Sequence, residues 1–186
     1  MIEIIVNPLE IESATRFANQ VIGTNRYYSD RGQSNKNTII HQIFVGKVGE
    51  YAVRQWYVQK GFTCSEVDVT VTHKKTFEPD LRVDGHACHV KSQSMESAQR
   101  FGISWTFQFA GSSGAGHRDH EIFDTYSEHD HVIFCVVNPP AVKIMAEVKV
   151  TDLHQLGLFD LPKKKELVEY KRVVYFNKIP RELLVK

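Results

Sequence analysis

Glu78-Pro79-Asp80-Leu81-Arg82-Val83-Asp84-Gly85-His86-Ala87-Cys88-His89-Val90-Lys91-Ser92-Gln93 decides the reading of this chain. Asp84-Gly85 is a type I′ turn signal between two short alternating runs, so residues 80–83 and 86–93 are expected to pair as a hairpin. Side chains on a strand alternate between faces, which puts His89, Lys91 and Gln93 together and Cys88, Val90 and Ser92 on the other side. A polar face on the inner strand of a hairpin needs a reason. Asp80 follows Pro79 at the start of the first strand.

Upstream, residues 38–60 are expected to form a long helix with Thr38 as its cap. Ile39, Ile43, Val48, Tyr51, Ala52 and Trp56 lie on its broad apolar face, and Gly61 is the C′ residue. Residues 62–72 switch to period two through Val67, Val69 and Val71, so a strand is expected there. A turn bearing Lys74 and Lys75 follows. Apolar residues at helical spacing over 9–22 predict a first helix. Residues 23–37, with Arg26, Tyr27, Tyr28 and Arg31, read as a long polar loop.

Downstream, residues 94–100 are a short helix or loop, and 103–109 are extended. Residues 110–120 form a Gly/Ser loop and 121–126 a helical turn. The continuous apolar run 131–137 predicts a buried central strand. Residues 142–150 add a strand, 151–156 a capped turn or short helix, and 172–176 a last strand. The order predicts a mixed α/β domain with one central sheet.

A length of 186 residues with 42% hydrophobic and 24% charged residues is ordinary globular usage and predicts one domain over 1–186. Its core spans about 38–137. Residues 1–37 supply the N-terminal helix and loop, and 138–186 the C-terminal strands and a basic tail. No apolar run approaches the roughly 20 residues of a membrane helix, and the first residues carry no secretory signal pattern. Cys64, Cys88 and Cys135 are odd in number and read as reduced, buried thiols of a cytosolic protein. The net charge is +1, but residues 161–186 carry eight Lys/Arg against three Glu. A basic tail on a mildly acidic body fits a nucleic-acid partner as well as it fits a solvated surface.

The chemistry concentrates at three places. Glu50 lies mid-helix beside Gly46 and Gly49, each about 1 kcal/mol less favourable than Ala there. Close approach by a ligand or another backbone would explain both glycines. Asp80 opens the first hairpin strand and Lys91 lies on the second. If they converge with Glu50, two carboxylates form a hard-cation site beside an ammonium, a geometry for metal-dependent phosphoryl transfer.

The Pro79-Asp80 pair, the later His89-Val90-Lys91 and the upstream Gly49-Glu50 helix resemble the PD-(D/E)XK nucleases, the restriction-endonuclease-like superfamily. The resemblance covers about residues 38–137. It implies a central mixed sheet flanked by helices and hydrolysis of phosphodiester bonds in DNA with Mg²⁺ or Mn²⁺. Asp80 and Glu50 become metal ligands, with the backbone carbonyl of Val90 a further one, and Lys91 positions or polarises the attacking water. His89 stands where the family has Asp or Glu. An imidazole there suits Mn²⁺ better than Mg²⁺, or serves as a base. Gln93 and Gln108 are candidate supports. A restriction, homing, phage or repair-type enzyme of the bacterial cytoplasm is implied, and two cuts in a duplex call for a homodimer. A catalytically inactive module that binds DNA or protein is the rival.

Lys74, Lys75, Lys163, Lys164 and Lys165 are candidate phosphate contacts. His117, His120, His129 and His131 have spacings that could hold zinc, without a cysteine pair to join them. The glycine loop 111–116 lacks a Walker lysine, which argues against a nucleoside triphosphate site. Trp105, Phe107 and Phe109 are expected in the core rather than in a stacking platform.

Overall fold

A long apolar strand can be buried only between two layers, and β5 (His131–Asn138) sets the plan: its residues 132–137 are all buried. In the computed structural model, which describes residues 1–22, 24, 35–71, 78–110 and 118–186, β5 lies between a parallel neighbour and an antiparallel one. The parallel neighbour is β3 (His86–Ser94) and the antiparallel one is β6 (Ala141–Lys149). β2 (Leu81–Val83) joins the outer side of β3, and β1 (Ile2–Ile5) the outer side of β6. The result is a mixed five-stranded sheet in the order β1-β6-β5-β3-β2.

Ile133, Cys135 and Val137 face one layer, built from α1 (Pro8–Val21) and α2 (Lys36–Gln59). Val132, Phe134 and Val136 face the other. That second layer holds a separate two-stranded sheet, β4 (Ser104–Gln108) with β7 (Lys171–Tyr175), and the short helices α3 (Met95–Phe101), α4 (His120–Phe123) and α5 (Val150–Gln155). Phe107 and Trp105 of β4 pack on Phe134, with ring centroids 6.2 and 4.7 Å away.

The hairpin forms as expected, with Asp84 and Gly85 at φ 47° and 85°. Four expectations need correction. The single sheet is two, because β4 and β7 pair with each other over the second core. Residues 62–71 form no strand. Thr63 and Ser65 bond the β2–β3 hairpin instead, and the Asp68 carboxylate accepts the Thr70 amide in a local turn. The long helix begins at Lys36, capped by Asn35, whose side chain accepts the amides of Asn37 and Thr38; Thr38 lies inside it. The turn over 150–155 carries no side-chain cap. β1 was not anticipated, being only four residues with one of them buried. No helix among the described residues is long and apolar enough to cross a membrane. The three cysteines are free thiols.

Candidate active site

β3 outruns β2, and the candidate site lies where they part. Their pairing stops at Leu81 opposite Cys88. Continuing the register would set Pro79 against Val90, and proline has no N–H to give the ladder. The Asp80 carboxylate takes the place of that strand: its Oδ2 accepts the Val90 N–H at 2.8 Å. A strand residue sends its N–H and C=O to the same side, so the Val90 carbonyl faces this edge as well. Asp80 and Val90 thus meet through the Val90 amide.

α2 brings Glu50 to the same place. Its Gly49 lies so close to β3 that a Cβ there would stand 1.9 Å from Ser92 Oγ, whereas one on Gly46 would meet nothing within 4 Å. Close approach therefore explains Gly49 and leaves Gly46 unexplained. Glu50 is 6% exposed. Burial, reinforced by the charge of Asp80, pushes its carboxyl up to about 8, while Lys47 pulls the other way. Lys47 Nζ is 2.7 Å from Glu50 Oε2. Burial works against the Lys47 ammonium, but Glu50, Asp80 and Asp68 outweigh it and hold its pKa above the ordinary value.

His89 and Lys91 occupy the opposite face of β3, the side packed on β4. His89 is buried, and among the described residues its Nε2 has no hydrogen-bond partner; Glu121 Oε2 is 3.7 Å away. Burial lowers the imidazole's pKa, with Lys91 acting in the same direction and Asp80 opposing, so the ring is neutral near pH 7. Lys91 Nζ lies 4.8 Å from the Phe107 ring centroid and 3.1 Å from Asp119 Oδ2. Burial would raise the Asp119 carboxyl, but the Lys91 ammonium and a 3.1 Å bond from the Gln108 amide more than offset it and hold the group low. Among the described residues, Lys91 makes no ion pair with Glu50 or Asp80.

Gln93 lies elsewhere: its amide spans Ser97, the Gly102 carbonyl and the Ser104 amide, fastening α3 and β4 to β3. The Gln108 side chain bonds Lys171 and the Ala110 carbonyl, and only its backbone touches the site, through Asp119. Lys163, Lys164 and Lys165 are exposed. Lys74, Lys75, His117 and the loop 111–116 lie outside the described residues. His120 pairs with Asp124, and His129 pairs with Glu128 and packs on His86. Sequence reasoning missed Lys47, Asp119 and Glu121. Lys47 stands one helical turn before Glu50. Asp119 and Glu121 sit in the charged run Arg118-Asp119-His120-Glu121, a signal that was visible.

Two carboxylates and a main-chain carbonyl form an oxygen donor set suited to a hard divalent cation. Among the described residues no three His, Cys, Asp or Glu side chains gather closely enough to hold a metal ion by themselves. Comparison with protein-family models, with curated proteins and with solved structures finds no match.

Proposed function

We propose that this chain is a metal-dependent endonuclease that hydrolyses phosphodiester bonds in DNA on a restriction-endonuclease-like sheet, acting as a homodimer in a bacterial cytoplasm. The observation that carries the reading is the parting of β2 and β3: Asp80 caps the Val90 amide there, and the buried Glu50 carboxylate feels the Asp80 charge. Glu50, Asp80 and the Val90 carbonyl would hold Mg²⁺ or Mn²⁺. The cation would supply an activated water and stabilise charge developing on the scissile phosphate. Lys91, once a phosphate oxygen displaces Asp119, donates to that oxygen and stabilises the same charge. Neutral His89, with a free Nε2, can accept a proton.

A second reading, an inactive nuclease-fold module, is favoured because both groups already have partners within the chain: Lys47 Nζ holds Glu50, and Asp119 neutralises Lys91. Incubation of supercoiled plasmid with the purified chain separates the two. The endonuclease reading expects nicked and linear DNA with Mg²⁺ or Mn²⁺ and none with EDTA. Intact plasmid under every condition, with DNA still bound, would favour the module.

A further inference from the structure

Beside the candidate active site lies an open pocket of about 430 Å³ that the proposed reaction does not use. That volume lies within the range of small-ligand sites. Phe109, Phe123 and Phe159 line it, together with Arg118, Arg172 and His154. The two guanidinium groups stack on phenyl rings: Arg172 Cζ is 3.7 Å from the Phe109 centroid, and Arg118 Cζ is 4.7 Å from Phe109 and 5.1 Å from Phe123. His154 is a fixed wall, held by the Ile122 carbonyl at 2.8 Å and stacked on Tyr126.

The charges in the pocket are unequally matched. Asp160 also lines it, but Lys178 and the Leu161 amide engage its carboxylate. Arg118 pairs with Asp124 at 3.0 Å, yet its Nε is buried with no hydrogen-bond partner among the described residues. Arg172 makes no ion pair among the described residues and donates only to the carbonyls of Val168 and Lys171. A bare anion would leave the aromatic faces unfilled. A neutral ring would leave Arg172 unanswered. A planar aromatic group carrying an anion satisfies both.

We infer that this pocket binds one unstacked nucleotide, its base against the phenyl and guanidinium planes and its phosphate on Arg172. Base–aromatic stacking tolerates any sequence, because every base has a π-face. The position fits a strand that continues past the reacting phosphate. Arg118 adjoins Asp119, the partner of Lys91, and Phe123 packs edge-on against Phe107 beneath the Lys91 ammonium. The inference deepens the nucleic-acid reading but needs no cleavage.

Calorimetric titration of the full chain in EDTA tests it, with dAMP, deoxyadenosine and deoxyribose 5-phosphate as probes. dAMP should bind at least about tenfold more tightly than either fragment, the scale of losing one stacked base or one charge-assisted contact. Arg172→Gln should reduce dAMP affinity about tenfold. Because Arg172 also bonds backbone carbonyls, Phe109→Leu is the second variant, and it should weaken dAMP binding while sparing deoxyribose 5-phosphate. A trimer of dA that binds tighter than dAMP identifies a strand as the source; equal binding identifies the free nucleotide. Equal affinity for dAMP and either fragment, or parent-like binding by both variants, would overturn the inference. A parent chain that binds dAMP but never cuts sinks the nuclease reading alone. One that cuts without binding dAMP sinks this inference alone.

Discussion

Lys91 is held between Asp119 and the Phe107 ring, and both contacts keep its ammonium in place without bringing it to Glu50 or Asp80. A group that contributes chiefly to the transition state changes rate far more than affinity. Lys91→Ala should therefore lower single-turnover cleavage by about 10²-fold, the scale of one preorganised electrostatic group. Affinity for the same DNA in Ca²⁺ should stay within a few-fold. An equal drop in affinity would make Lys91 a phosphate anchor instead. Glu50 gives a prediction that needs no DNA. The folded chain keeps this proton to about pH 8, whereas the unfolded chain releases it near the ordinary 4.5. Between those values the folded state binds more protons, so Glu50's contribution to stability falls as pH rises. Glu50→Gln, which carries no ionisable proton, should gain in melting temperature relative to the parent from pH 5 to pH 8. A difference independent of pH across that window would contradict the assignment.

α2 crosses β3 on Gly49, and the two glycines of that helix separate cleanly. Gly49→Ala forces Ser92 Oγ to move, with Ser92 Cβ still 3.2 Å away. It should cost about 1–3 kcal/mol in urea denaturation, as overpacking does. Gly46→Ala meets open space and should stabilise the helix by about 0.5–1 kcal/mol. The reverse order would mean that α2 does not lie on β3 as described. The sequence made this helix, the hairpin and the buried β5 legible because each rests on local period or turn chemistry. Asp84-Gly85 favours the two-residue turn with positive φ at both positions, and β5 is apolar from Val132 to Val137. Residues 62–71 were misread because an alternating pattern cannot tell a paired strand from an extended segment. Here the hydrogen bonds of Thr63 and Ser65 went to the hairpin. The partition into two sheets was illegible for a similar reason: β4 and β7 lie more than 60 residues apart in sequence, and nothing local names their partner. At the site, the hairpin itself was legible from its turn and alternation, while Val90 entered only through the resemblance. Asp119 and Glu121 stand in a visible charged run, but only tertiary folding brings that run over β3, so the run alone named no partner for Lys91 or His89.

At the scale of the whole molecule, Lys163, Lys164 and Lys165 lie far from Asp80 in sequence and are exposed on the C-terminal segment. The Lys163 and Lys164 ammonium groups lie over the rings of Tyr175 and Phe101, each 5.4 Å from the centroid, on exposed side chains. If all three contact phosphates, the triple Ala variant should bind every DNA sequence more weakly. Its logarithmic salt slope should fall by up to about three units, close to one per lost contact. An unchanged slope would mark the run as a solvated turn. The central claim concerns Asp80, whose carboxylate ends one strand, caps the next and raises the proton affinity of Glu50. Asn retains the shape and an oxygen to accept the Val90 amide while removing the charge, so Asp80→Asn should fold as the parent does. The most direct measurement is therefore the nicking rate of supercoiled plasmid by this variant and by the parent, side by side in Mn²⁺. The account predicts that the parent nicks and that the folded variant falls to the level of the EDTA control; nicking by Asp80→Asn at the parent rate would contradict it.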